Sequence, residues 1–493
     1  MAVNKSVIGT SIIPLAGRGL FLTELVYAGE LVFNVPRPWL CVVDGKNLRK
    51  TCDECFAYNG VLGTNNPEKT EPFLECKCKV VYYCSETCKA NAWKTHHKIE
   101  CAAYRKIAQT EPEINSLNPQ FERRFRLITR LFALKKMGTI PEEDFKLFFD
   151  LAQGEEATDA WIEFTIERLY ATGLTHMSPS KLRRWIQAVG NNDCEIDTPR
   201  ILTTEELEGD EPYAKKVEAI SLGACVDPYY SMINHSCMPN SYWVFNGREL
   251  QVRAERDMVA GEEVTISYIP RGAYVDRTIS LASWGIHCTC QRCSKGVIEP
   301  TGQLREAIKE ALDEQKWKYI RPTAQCRILR TLISDVWCDG NTWGAWPMRL
   351  LLVKLHDSLR AADQEWGVLQ VLLRLRYSVD DQERPKAFLC ERVQTLRLLV
   401  SFVGSVYHGR CGSGAGNLVV WIKSLYPYYR RLLLYEVQMC YGEDSALAKW
   451  ELKRNMEEEG VEQGDEAEEK EIFRRSITLL LTWASKHESL STS

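Results

Sequence analysis

The chain has 493 residues, 45% of them apolar and 26% charged. That is a soluble-globular balance with material for about three domains, and it excludes a largely disordered chain. Sixty-two Lys and Arg against 66 Asp and Glu leave a formal charge of -4, so no global basic field argues for nucleic-acid binding. No apolar run approaches the roughly 20 residues that span a bilayer.

At the start, Lys5 and the apolar residues to Leu15 are faintly signal-like, but Pro14, Gly17, Arg18 and Gly19 break the pattern, and the segment reads as mature protein. Ala16-Gly17-Arg18-Gly19-Leu20-Phe21 is first of all a tight turn between strands. Its functional alternative is a loop whose missing side chains let backbone amides approach a small polar ligand. Next comes a cysteine cluster. Of 19 cysteines, eight fall between Cys41 and Cys101. An odd count with close pairs in a large chain points to metal rather than disulfides, and so to the cytosol or nucleus. From Cys52 the order is Cys52-x2-Cys55, Cys76-x-Cys78, Cys84-x3-Cys88 and His96-His97-x3-Cys101. These are eight ligand positions, enough for two tetrahedral zinc sites. A segment of about fifty residues with polar loops buries too little apolar surface to fold alone, so metal would drive its folding. Either His96 or His97 could ligate; the spacing to Cys101 favours His97.

Residues from about Tyr104 to Val189 carry helical spacing, as in Phe125–Lys136 and Trp161–Tyr170. Thr203–Lys216 is acidic and without core periodicity, which suggests a solvated surface loop. Ser231-Met232-Ile233-Asn234-His235-Ser236-Cys237-Met238-Pro239-Asn240 precedes two expected strands, Ser241–Phe245 and Leu250–Ala254, turned at Asn246-Gly247. Then follow Gly261-Glu262-Glu263-Val264-Thr265-Ile266-Ser267-Tyr268 and Cys288-x-Cys290-x2-Cys293. Singly these are ordinary: Asn234 a turn, His235 a core histidine, Tyr268 a strand aromatic. From Thr301 onward apolar residues recur at helix spacing, at Leu350–Leu359, Val368–Leu373, Leu389–Val406, Leu418–Tyr441 and Ile472–Ser485. No clean repeat of about 34 residues is visible, so the reading is antiparallel helix pairs. Gly409–Gly416 reads as a loop and Glu457–Glu471 as a solvated acidic loop or helix face.

Tyr83-Cys84-Ser85-Glu86-Thr87-Cys88, Trp93 and His97-x3-Cys101 resemble the MYND zinc finger, a protein-interaction module. Carried over, its interleaved sites imply Cys52, Cys55, Cys84 and Cys88 on one zinc and Cys76, Cys78, His97 and Cys101 on the other. The chain departs from that pattern in having C-x-C as second pair and a long Cys55–Cys76 gap. The flanking motifs, in their order, resemble the SET methyltransferase domain of the SET-and-MYND (SMYD) family, from about Ser6 to Ser294. The likeness implies an α+β fold: a β-rich SET lobe carrying an inserted finger and a helical insert, then an all-helical tetratricopeptide-like lobe. The corresponding boundaries are 1–50 and 191–285 for the SET parts, 51–101 for the finger, 102–190 for the insert, 286–300 for a post-SET zinc site and 301–493 for the helical lobe. It also implies a knot-like threading that brings Asn234 and His235 beside Tyr268, and Cys237, Cys288, Cys290 and Cys293 as ligands of a third structural zinc. The eight cysteines outside these twelve positions are expected to be buried thiols.

The function implied is S-adenosylmethionine-dependent methylation of a lysine in a histone or non-histone protein. Gly17, Arg18 and Gly19 would cradle the cofactor, Asn192, Asn234 and His235 would contact it, and Tyr268 would be the catalytic tyrosine. The chain departs from the family in the lysine channel, with Cys194, Trp284 and Ile286 where aromatics or a different aromatic are usual. Those departures feed an alternative from another class, an adaptor whose finger binds Pro-rich peptides beside an idle SET core. Expected partners are therefore a lysine-bearing protein or peptide and a Pro-rich peptide, with no membrane, no direct DNA binding and a monomeric chain in the nucleus or cytoplasm.

Overall fold

The computed structural model describes residues 3–59, 72–110, 119–149, 160–201, 217–269, 272–282, 284–294, 299–338, 342–383, 388–410, 416–457 and 466–486. Four short strands open the chain: β1 (Ser6–Thr10), β2 (Arg18–Leu22), β3 (Leu31–Val35) and β4 (Leu40–Val43). The cysteine-rich segment adds the two-residue strands β5 (Leu74–Glu75) and β6 (Tyr82–Tyr83), then helix α1 (Glu86–Ala92). Ser85 caps α1, its hydroxyl accepting the Cys88 N–H at 3.2 Å. The cap fixes the turn that carries Cys84 and Cys88. A π-helical turn over Trp93–His97 leads into α2 (Lys98–Thr110); such bulges re-aim side chains and recur at functional sites.

Four helices follow, α3 (Pro119–Met137), α4 (Glu142–Phe149), α5 (Ala160–Thr172) and α6 (Pro179–Asn191). The periodic stretches at Phe125–Lys136 and Trp161–Tyr170 lie inside α3 and α5. The chain then returns to strands: β7 (Cys194–Ile201), β8 (Val217–Val226), β9 (Asn234–His235), β10 (Ser241–Asn246), β11 (Glu249–Ala254) and β12 (Glu263–Ile266). Among the described residues the sheets run β1-β2-β12-β9, β10-β11-β3, β4-β8-β7 and β5-β6. Side chains alternate across β4 as strand geometry requires. Leu40 and Val42 pack on the α3–α6 helices, while Cys41 and Val43 face the core shared by β2, β3, β11 and β12. The hairpin turn sits one residue later than the sequence suggests, because Asn246 pairs with Glu249. Gly247 and Arg248 make the two-residue loop, and Gly247 takes the positive φ of +60° that such a loop needs at its first position.

After α7 (Tyr274–Ala282) and α8 (Gln291–Ser294) the chain is helical: α9 (Gly302–Leu312), α10 (Glu314–Trp317), α11 (Pro322–Cys338), α12 (Met348–Ala361), α13 (Glu365–Arg374), α14 (Asp380–Glu383), α15 (Cys390–Tyr407), α16 (Asn417–Tyr441), α17 (Ala446–Glu457) and α18 (Glu466–Lys486). They share one apolar core, with α11 on α12, α15 on α16, and α17 and α18 against α16. This lobe touches β10 through Tyr242, whose hydroxyl donates to the Cys440 carbonyl at 3.1 Å, and the end of β11 through Phe388 N–H to the Glu255 carbonyl at 3.1 Å. Among the described residues no helix is long and apolar enough to cross a membrane. The acidic stretch Thr203–Lys216 lies outside the described residues, as do residues 411–415 of the glycine-rich loop and 458–465 of the later acidic run. One expectation fails on the surface: Cys338 is exposed and Cys390 half-buried, so the remaining cysteines are not all core thiols.

Gly223 sits where β8 crosses closest to β4. A Cβ there would overlap the Val42 carbonyl, a backbone atom that cannot swing away. We expect Gly223→Ala to lower the unfolding free energy by about 3 kcal/mol, the upper range for overpacking, as read by urea denaturation; an unchanged midpoint would contradict this packing.

Candidate functional site

Two residues of parallel pairing join distant parts of the chain. Asn234 and His235 of β9 lie beside Thr265 and Ile266 of β12. Asn240 reinforces the junction, accepting the Thr265 N–H at 2.8 Å and donating to the Glu263 carbonyl at 2.8 Å. Upstream, Asp227 accepts the N–H groups of Tyr229 at 3.0 Å and Tyr230 at 3.3 Å, shaping the turn that delivers Ile233. Burial nevertheless pushes its carboxyl up to about 6.

Asn234 is the hinge of the site. Its amide donates at 2.8 Å both to the Arg18 carbonyl and to Glu263 Oε1. Glu263 also accepts from the Ser11 hydroxyl at 2.7 Å and the Ile12 N–H at 3.1 Å. A Cβ on Gly19 would overlap this carboxylate and come within 3.0 Å of the Asn234 amide, so any side chain there would displace both groups. Gly17, Arg18, Gly19 and Asn234 thus converge. Tyr268 joins from the other side. Its N–H donates to His235 Nδ1 at 3.0 Å, its hydroxyl donates to the Ile233 carbonyl, and its ring lies 5.4 Å from His235 and 6.0 Å from Trp284. Burial first, then the charge of Glu263, holds the phenol well above its ordinary pKa, so it stays protonated at neutral pH.

Tyr268 also lines a cleft of about 730 Å³ between the SET strands and the start of α15. The cleft has an apolar floor that includes Tyr230, Ile233 and Ile269. Cys194, Trp284 and Ile286, the three departures from the family pattern, are all on its wall. Asn192 stands there too, but its amide donates to the Ala188 carbonyl at 2.8 Å and so caps α6. The other five candidate cofactor residues are not part of this lining, although Ile233 and Tyr268, which flank the Asn234 junction, are. Sequence reasoning missed the acidic wall, Asp193, Glu195, Asp197 and Glu391. It also assigned no role to Glu263, an acid that the structure buries at the start of β12.

The cysteines assemble as three closed sets of four donors. Cys52, Cys55, Cys84 and Cys88 form one, Cys76, Cys78, His97 and Cys101 a second, and Cys237, Cys288, Cys290 and Cys293 a third, the donor atoms of each lying within 4.8 Å of one another. Bonds of about 2.3 Å in a tetrahedron put sulfur donors about 3.8 Å apart. The observed separations match: 3.6 Å for Cys55–Cys84 and for Cys84–Cys88, 3.8 Å for Cys76–Cys101, and 3.8 Å and 3.6 Å from Cys237 to Cys288 and Cys293. His97, not His96, turns its Nε2 to the sulfurs, 3.1 Å from Cys76 and 3.7 Å from Cys78. The donor sets therefore suit structural zinc with no open coordination position.

The SET domain family model matches residues 17–269, half of the chain. The chain belongs to the SET domain family. Curated relatives carry the likeness to SET-and-MYND proteins. The chain is 26% identical to "Histone-lysine N-methyltransferase ASHR1" of Arabidopsis thaliana, over 58% of this chain and 55% of that protein. It is 28% identical to "N-lysine methyltransferase SMYD2-A" of Xenopus laevis, over 58% and 60%. It is 25% identical to "SET domain and MYND-type zinc finger protein 6" of Schizosaccharomyces pombe, over 71% and 63%. The matches span 55–63% of the length of these relatives.

Asp193 gives a pH signature. Burial pushes its carboxyl up to about 6, against the pull of Arg124 and Arg123. A folded-state pKa above the unfolded value means that the charged form costs stability above pH 6, and the cost vanishes as pH falls toward the unfolded value. Asp193→Asn is expected to melt higher than the parent at pH 7.5, with the gap narrowing by pH 4.5 and closing as pH falls below the unfolded carboxyl value. A gap that widened on acidification would reverse the assignment.

Proposed function

We propose that the protein transfers a methyl group from S-adenosylmethionine to a lysine side chain of a histone or non-histone protein. One observation carries the reading. Tyr268 is tied by its backbone to the Asn234–His235 strand and lines the substrate-sized cleft, so one residue faces both the cofactor side and the lysine side. When bound, the cofactor supplies a methyl group activated by a sulfonium; the residues supply alignment. The backbone of Gly17, Arg18 and Gly19, together with Asn234 and His235, would hold it. Asn192, from the cleft wall, is a further contact. The protonated phenol of Tyr268 positions the reacting groups and is not the base.

A lysine amine must lose its proton to attack, although it titrates near ~10.4 in water. The apolar floor at Tyr230, Ile233 and Ile269 favours the neutral form by desolvation. The acids Asp193, Glu195, Asp197 and Glu391 at the wall draw the charged side chain in. Cys194, Trp284 and Ile286 alter the shape of the channel, and with it the choice of substrate. Three zinc ions on the closed donor sets would be structural, and thiolate sites of that kind suit a reducing compartment, the nucleus or cytoplasm.

The altered channel is also what favours the second reading, an adaptor. In that case the finger's exposed Trp93 offers a Pro-rich peptide an aromatic surface. The two readings separate in a radiolabelled methyl-transfer assay on whole-cell lysate, comparing wild-type protein with Tyr268→Phe. The enzyme reading expects labelling that falls at least about 100-fold in the variant, the scale for losing one preorganised hydroxyl. No labelling above the lysate background from either protein favours the adaptor; equal labelling above it would take the catalytic role from Tyr268.

A further inference from the structure

Beneath the finger lies a cluster of ionisable groups almost out of reach of water. Asp53, His96, Glu100, Arg126 and Arg130 are each 2% exposed or less. Arg130 is the centre. Its Nε donates to Glu100 Oε1 at 2.7 Å, and one terminal nitrogen donates to Asp53 Oδ2 at 2.6 Å and Glu100 Oε2 at 3.2 Å. The other terminal nitrogen donates to the Cys41 carbonyl in β4. Arg126 adds a bond to Asp53 Oδ1 at 3.4 Å. Two carboxylates are thus balanced by two guanidiniums, the condition under which buried charges are tolerated.

Glu100 has a second engagement. Its Oε2 lies 3.1 Å from His97 Nδ1, while His97 Nε2 faces the sulfurs of Cys76 and Cys78. A carboxylate accepting the Nδ1–H fixes the tautomer, points the Nε2 lone pair at the metal position and raises its basicity. His96 faces the same cluster, with Nε2 3.9 Å from both Asp53 and Glu100.

We propose that Glu100 is the positioning residue for the second zinc of the finger, and that Arg130 ties this zinc site to the SET strands. A continuous path runs from the metal position through His97, Glu100 and Arg130 to the backbone of β4. Arg130 belongs to α3, outside the finger, so the finger's second site is completed by the catalytic lobe and is not self-contained. Loss of that zinc frees His97 from Glu100 and loosens the contact of α3 with β4. The inference rests on the zinc reading of these donor sets.

The test uses the full-length, zinc-loaded protein and Glu100→Gln, which keeps the side-chain shape and removes the charge. Zinc release is followed by competition with a chromogenic chelator. Cobalt substitution distinguishes the histidine-containing site from the two all-cysteine sites by its visible spectrum. The expected result is one ion of three bound about 10–100-fold more weakly, the usual cost of losing an outer-shell partner. The cobalt bands of the histidine-containing site alone should change, and hydrogen exchange should quicken at Cys41–Val43. Arg130→Lys keeps the charge but loses the fork, and serves if Glu100→Gln does not fold. It should show the same selective weakening at smaller size. Three ions held with wild-type affinity in whichever variant folds would overturn the proposal. Wild-type protein that takes no metal at the histidine-containing site would instead sink the zinc reading beneath it.

Discussion

The fold depends on a two-residue parallel contact, Asn234 and His235 against Thr265 and Ile266. Such a contact is too short to stand on ladder hydrogen bonds alone. It persists because polar side chains on both flanks are satisfied by it. Asn240 fills both hydrogen-bonding functions of its amide against β12, and Asn234 bridges β2 to Glu263. A buried amide or carboxylate left unpartnered costs about 1–3 kcal/mol, so each of these residues holds the others in place. The junction brings residues near position 18, position 234 and position 268 into one small volume. Without it the glycine turn, the Asn-His strand and the tyrosine are unrelated surface features.

The three cysteine sets solve a different problem. Near Cys237, Cys288, Cys290 and Cys293 the apolar cluster consists of little more than Ile269, Leu281, Ile286 and the cysteines themselves. A core that small cannot offset the chain entropy of ordering α7 and α8; four thiolates on one ion can. The finger is similar, but its lower half shares Tyr104, Ile107 and Phe125 with helices of the insert and is bound to them by the Arg130 cluster. Finger and SET lobe share that seam, while the cleft is finished on its far side by Leu389, Cys390 and Glu391 of the helical lobe.

Much of this was legible in the sequence, for identifiable reasons. Helices such as α3, α12 and α16 carry apolar spacing that survives tertiary context, and cysteine pairs at fixed separations have few uses apart from metal. The Gly247-Arg248 turn was misplaced by one residue because Asn-Gly is also a good hairpin centre; pairing of Asn246 with Glu249 decides the register. The strand junction was invisible to periodicity, since two residues carry none, and was expected only through family resemblance. Spacing to Cys101 favours His97, and the structure turns the Nε2 of His97 to the sulfurs; the contact of its Nδ1 with Glu100 is not legible in the sequence. The acidic wall escaped notice because Asp193–Asp197 and Glu391 are far apart in the chain and meet only where the helical lobe closes on the SET strands.

The central claim is that the Asn234 junction forms a cofactor site, and calorimetric titration of the zinc-loaded protein with S-adenosylmethionine tests it most directly. The predicted result is saturable one-to-one binding that Asn234→Ala abolishes in a protein that still folds and keeps its zinc, because the Asn240 bonds to β12 survive the substitution. Undiminished binding by a folded Asn234→Ala protein, or no binding by the parent, would contradict it.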